Sequence, residues 1–161
     1  MNRVFWTALG IVGAFLVETG LSYLIPTPGR FLDPFLLVVV FCALVGGETH
    51  GMLAGAAAGW VEDALFGGQV QGLSALSKLV IGYAVGAAGG RFMITSAAAR
   101  ALVVLVASLA DALLVQWLAS VFNLAARPLG PLGLLTRATV SALAGVLLFT
   151  LIDRYLRRAS P

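Results

Sequence analysis

Apolar residues run along this chain in six long blocks, and the prolines and most of the charges fall between them. Such runs, without the strict alternation of half-buried strands, read as helices in contact with lipid. The blocks extend from about Val4 to Leu24, Phe35 to Gly46, Glu48 to Phe66, Leu73 to Gly89, Ala101 to Phe122 and Gly133 to Ile152. Pro26, Pro28, Pro34, Pro128, Pro131 and Pro161 all lie outside the apolar cores, as expected of a residue that removes a helix donor and clashes with the preceding turn. The second block is short: residues 34–47 reach only about 21 Å at 1.5 Å per residue, against roughly 30 Å of hydrocarbon. It is either a short helix or one arm of a re-entrant hairpin with the third block. Both options leave the two termini on the same side.

Composition points the same way. Of the 161 residues 60% are hydrophobic and 11% charged, where an ordinary soluble domain carries roughly 25% charged residues. A soluble fold cannot hide that much apolar surface, but a bilayer can. The expected fold class is therefore an all-α membrane protein, a compact bundle of about six transmembrane helices forming one domain over residues 1–161. The start, Met1-Asn2-Arg3 followed by Val4 to Val17, lacks a small-residue cleavage pattern and continues through Glu18-Thr19-Gly20 into Leu21. It reads as an uncleaved first span.

The formal net charge of +3 is small and the basic residues are scattered, with Arg157-Arg158 the longest contiguous pair. A nucleic-acid surface needs clustering on one face, so nucleic acid is not an expected partner. The charges work better as topology signals. With the N-terminus inside, the inner segments hold Arg3, Arg91, Arg100, Arg154, Arg157 and Arg158, and the outer loops hold Arg30 and Arg127. That asymmetry places both termini in the cytoplasm. Cys42 is alone, so no intrachain disulfide can form.

Two glycine stripes stand out. Gly47, Gly51, Gly55 and Gly59 recur at every fourth residue, with Asp63 and Gly67 on the same row; Ser74, Lys78, Gly82, Gly86 and Gly90 repeat the device in the next block. Residues four apart share one helix face. In lipid, where apolar surface gives no push between helices, small residues that let backbones approach supply the packing. The short connection between the two blocks predicts antiparallel neighbours, with Asp63 and Lys78 able to pair across the hairpin.

Ionisable groups inside the blocks are Glu18, Glu62, Asp63, Lys78, Asp111 and Arg137. Each is costly in hydrocarbon, about 2.5–3.5 kcal/mol on insertion scales, so each is expected to face the bundle or a wet cavity. On the topology above, all but Asp111 gather in the outer half, and Asp111, near mid-depth, is the most isolated. One reading is that they satisfy one another or reach to the interface; the other is a polar pocket or partner-docking site open to the outside. Catalytic constellations are missing: no phosphate-binding loop, no Ser-His pair, no Cys/His cluster. His50, beside Glu48 in an expected turn, is too few ligands for a metal. The one enzymatic option, an aspartyl pair of Asp63 and Asp111, would need the two to meet. No cofactor is expected.

At Gly51-x-x-x-Gly55-x-x-x-Gly59-Trp60-Val61-Glu62-Asp63-Ala64-Leu65-Phe66-Gly67, followed by Gly72-Leu73-Ser74-Ala75-Leu76, the chain resembles the MreD family of rod-shape-determining proteins. The likeness lies in a Gly-rich apolar helix ending in Asp, a Gly-bearing turn and a second small-residue helix; the chain's length, span number and short loops fit as well. The resemblance implies a non-catalytic subunit of the bacterial elongation machinery in the cytoplasmic membrane. It would bind the bitopic partner MreC and work alongside MreB, RodA and a class-B penicillin-binding transpeptidase. It also implies a fold like that of the six-helix substrate-binding subunits of vitamin (ECF-type) transporters. A scaffold would have a filled outer nest; a solute-binding transport subunit, the alternative, would have a roomy one.

Overall fold

A computed structural model describes residues 3–24, 32–65, 72–92, 96–123 and 130–158. These form six helices and no strand: α1 (Arg3–Leu24), α2 (Pro34–Gly46), α3 (Glu48–Leu65), α4 (Leu73–Arg91), α5 (Ala97–Val121) and α6 (Pro131–Arg158). Arg30, Gly67 and Arg127, used above for topology and for the first stripe, lie outside the described residues, as does the connection between α3 and α4 up to residue 71.

Local chemistry sets the helix ends. Asp33 caps α2, its carboxylate accepting from Leu36 N at 2.9 Å, and Pro34 takes the first turn, where its missing N–H has no partner to lose. Gly47 closes α2 at φ +83°, a left-handed conformation that disfavours a side chain. Its N–H bonds to Ala43 O, and α3 begins at the next residue. Ser96 caps α5 by accepting from Ala99 N at 3.1 Å.

Among the described residues four helices are long and apolar enough to cross a membrane: those containing Phe5–Tyr23, Leu73–Arg91, Ala98–Val121 and Leu132–Leu151. The six expected blocks correspond to six helices, of which these four have the length and apolarity of a crossing. The helix α2 has only 13 residues, and α3 carries Glu48, Glu62 and Asp63. The two are joined by one residue and pack on each other, the short hairpin that the length of the second block suggested.

Despite its length, α2 is the centre of the bundle. It touches α1, α3, α4, α5 and α6, and Phe35, Leu36, Val39, Val40 and Ala43 are completely buried. A helix apolar all round belongs in a core. Leu36, Leu37, Val40 and Ala43 pack with Ile81 and Val85 of α4, Val104 and Ala107 of α5 and Phe149 of α6. Outward-facing leucines such as Leu9, Leu16, Leu102, Leu143 and Leu147 are more than half exposed, which suits a surface whose solvent is hydrocarbon.

The tightest contact is between α3 and α4, and glycine makes it possible. A Cβ on Gly55 would stand 2.6 Å from the Lys78 carbonyl carbon, one on Gly59 2.5 Å from Ala75 Cα, one on Gly82 2.6 Å from the Gly51 carbonyl carbon, and one on Gly86 2.5 Å from Glu48 Cα. A Cβ on Gly51 would collide with the backbone of Gly82 and with Ala43 of α2. Two glycines of the stripes act otherwise. Gly90 meets nothing within 4 Å and is exposed, whereas the adjacent Gly89 still faces Leu44 of α2. Gly47 also has open space where a Cβ would go; its backbone conformation, not packing, is what calls for glycine.

Candidate functional site: a six-helix polar cluster

One end of the bundle gathers an ionisable side chain from every helix. Lys78 of α4 is at the centre and only 1% exposed; its Nζ lies 2.8 Å from Asp33 Oδ2, 2.6 Å from Glu62 Oε2 and 3.7 Å from Asp111 Oδ2. Arg137 of α6 donates from Nη2 to the same Asp33 oxygen at 2.8 Å and to Asp111 Oδ2 at 3.2 Å. Ser77 Oγ donates to Asp111 Oδ1 at 2.7 Å. Glu18 of α1 is buried, at 7% exposure, within electrostatic reach of Asp33, Lys78 and Arg137.

The geometry follows from helix direction and backbone approach. Side chains lean toward the N-terminus of their own helix. In the antiparallel α3–α4 pair, Lys78 therefore leans toward the α4 start while Glu62 leans back to meet it. Glycines at 55 and 59 bring the two backbones close enough to close this gap. The N-cap of α2 places Asp33 at the same end, so the short helix delivers a carboxylate between the two cations.

Of the six expected polar residues, five converge: Glu18, Glu62, Lys78, Asp111 and Arg137. Asp63 does not pair with Lys78. Its carboxylate turns to the start of α4, where Oδ2 accepts from Gly72 N at 2.9 Å and Ala75 N at 3.1 Å, and Oδ1 accepts from Ser74 N at 3.3 Å. The first N–H groups of a helix have no intrahelical partner and carry its positive end, and Gly72 offers no side-chain cap. Asp63 fills that role from the neighbouring helix. Lys78, meanwhile, is surrounded by three other carboxylates. Asp111, expected to be isolated, is instead bound by Ser77, Lys78 and Arg137. It shares no contact with Asp63 among the described residues, so the aspartyl pair has no structural basis.

Asp33 is the cluster member that sequence reasoning passed over. The signal was there, since Asp-Pro opening an apolar run marks a helix start, but a loop position hides its burial. At the other end, His50 lies in the first turn of α3 rather than in a loop. Its Nε2 is 3.0 Å from Thr7 Oγ1, which in turn is 3.6 Å from Cys42 Sγ. Among the described residues no group of three or more His, Cys, Asp or Glu could hold a metal.

When all are ionised, the cluster has four carboxylates (Glu18, Asp33, Glu62, Asp111) and two cations (Lys78, Arg137). Both cations are already engaged by Asp33, Glu62 and Asp111. The ion pairs and hydrogen bonds of this arrangement tie α2 through its cap, α3, α4, α5 and α6 together, with Glu18 of α1 beside them.

The family model of the rod shape-determining protein MreD matches residues 3–158 of the chain. No curated protein and no solved structure matches it.

Proposed function

The chain belongs to the MreD family of rod-shape-determining membrane proteins, and from this premise we propose that it is a non-catalytic scaffold of the bacterial cell-elongation complex. It acts as one membrane domain in the cytoplasmic membrane, binds the single-span protein MreC, and helps organise peptidoglycan synthesis beside MreB, RodA and a class-B penicillin-binding protein. The observation that carries this reading is the family match over nearly the whole chain. Its fold is that of the six-helix substrate-binding subunits of vitamin transporters, a reading supported by six packed helices. Both termini face the cytoplasm, a reading supported by the distribution of basic residues and by the even number of passes left whichever way the α2–α3 hairpin lies.

The cluster geometry favours a scaffold over a solute carrier. Lys78 is shared by three of the chain's own carboxylates and Arg137 Nη2 by two, with Arg137 Nε left without an acceptor, and a nest paired largely within the chain stiffens a bundle rather than receiving a solute. Helix–helix capture in lipid needs only a shaped apolar face.

Co-expression with MreC and affinity purification from membranes tests the proposal. MreC is expected to co-purify, and loss of the protein from a rod-shaped host is expected to give round cells. A tightly bound small molecule in place of MreC would overturn the scaffold in favour of a transport subunit.

A further inference from the structure

We infer that Glu18 is a docking point for one basic side chain, a lysine ammonium or arginine guanidinium, contributed by the membrane partner; this rests on the scaffold reading above. Glu18 is more than nine-tenths buried. Its carboxylate makes no hydrogen bond or ion pair among the described residues, although its backbone carbonyl accepts from Ser22 Oγ. It faces a cluster in which two cations serve three other carboxylates, Arg137 through Nη2 while its Nε has no acceptor, so four carboxylates stand against two cations. Lys78 is shared by Asp33, Glu62 and Asp111, and Arg137 by Asp33 and Asp111. A buried carboxylate without a direct partner is expensive; Asp33 opposes its charge, and Lys78 and Arg137, which favour it, are shared with the other carboxylates.

The chemistry of the missing partner follows from which oxygens remain. Asp33 Oδ1 accepts from Leu36 N and Oδ2 from Arg137; Asp111 Oδ1 accepts from Ser77 and Oδ2 from Arg137. That leaves the two oxygens of Glu18 and those of Glu62, whose Oε2 meets Lys78 as an ion pair without a hydrogen bond. A hard metal ion wants about six oxygens, and the site does not supply them. An ammonium or guanidinium needs only one or two charge-assisted hydrogen bonds to a carboxylate, which Glu18 provides. Glu62 and Arg137, at 19% and 14% exposure, are the most open of the ion-paired members and mark the approach.

The test compares Glu18→Gln with wild type in two assays on the full chain. The first is the melting temperature of the purified protein alone. The second is co-purification with MreC. Gln keeps the size of the side chain and removes its charge. The lone Glu18→Gln protein is expected to melt about 2–4 °C higher than wild type, because an uncompensated charge is gone, while its recovery with MreC falls about tenfold. Replacing by Gln the Lys and Arg residues that flank the MreC span on its outer side should give the same loss with wild-type chain, and no further loss with Glu18→Gln. Wild-type recovery of MreC by the variant, or a variant that melts at or below wild type, overturns the inference while leaving the scaffold intact. Failure of the wild-type chain itself to recover MreC overturns the scaffold reading instead.

Discussion

Lys78 Nζ lies 2.8 Å from Asp33 Oδ2, joining the start of the central short helix to the glycine face of α4. The same Asp33 oxygen accepts from Arg137 of α6 at 2.8 Å. One carboxylate at a helix cap thus ties together three helices that are distant in sequence. Buried ion pairs add little net stability over a packed apolar core, but losing one partner is costly because the other stays charged and dry.

Lys78→Met should therefore destabilise the bundle by about 3–5 kcal/mol, since it leaves Glu62 without a cation and Asp33 and Asp111 with Arg137 alone. Adding Asp33→Asn should recover part of the loss by lowering the surplus negative charge. Thermal melting in detergent reads both. A double variant no more stable than Lys78→Met alone would show that Asp33 and Lys78 do not act as a pair.

How much of this was legible in the sequence depends on whether a residue's role is local or assembled. The glycine period of four gave the α3–α4 contact, because helix geometry alone puts Gly51, Gly55 and Gly59 on one face. It could not say where the contact ends. Gly90 continues the pattern where no neighbour comes within 4 Å, and Gly47 is needed for its φ of +83°. Five of the six polar residues were visible as charges within apolar blocks, and span direction put Glu18, Glu62, Lys78 and Arg137 at one depth but left Asp111 apart at mid-depth, where long Lys78 and Arg137 side chains in fact reach it. Asp33 was not visible in this way: its burial comes from the packing of α2 at the centre. Nor could spacing tell that Asp63 would cap α4, since an ion pair with Lys78 and hydrogen bonds to three N–H groups are equally reachable from the same row.

Asp63→Ala should cost about 1–3 kcal/mol, the penalty for leaving helix-start N–H groups without an acceptor. Asp63→Asn should cost less, because one acceptor oxygen remains. Combining Asp63→Ala with Lys78→Met should give losses that add. A double variant clearly milder than that sum would restore the direct Asp63–Lys78 pair that the structure replaces.

Gly59→Ala tests the close approach of α3 and α4. The new methyl would stand 2.5 Å from Ala75 Cα, a backbone atom that cannot swing away, so a loss of about 1–3 kcal/mol or more is expected. Gly90→Ala and Gly13→Ala, where a Cβ meets nothing within 4 Å, should melt at or slightly above wild type, as alanine is the better helix former. Equal behaviour of Gly59 and Gly90 variants would remove the packing argument.

The depth of the α2–α3 hairpin gives the last expectation. Gly86 of α4 packs against Gly47 and Glu48 at the hairpin tip, and α4 runs on to Arg91. Leu44 of α2 still reaches Gly89, so the last two residues carry the end of α4 about 3 Å beyond that hairpin contact along the helix axis. The thirteen residues of α2 cover only about 20 Å, short of the roughly 30 Å core. The tip should therefore stop within the membrane, while Arg91 reaches the cytoplasmic interface. Thr49 and Arg91 are both exposed on the bundle surface, so depth rather than burial by protein decides their access to water. In a Cys42→Ala background, Arg91→Cys should react rapidly with a membrane-impermeant maleimide added to inside-out vesicles. Thr49→Cys should react at least about tenfold more slowly, because the thiolate that attacks maleimide is disfavoured away from water. Neither should react when the reagent is on the outer side. Equal rates at the two positions would mean that the hairpin crosses the membrane fully, and labelling of Arg91→Cys from outside would invert the topology.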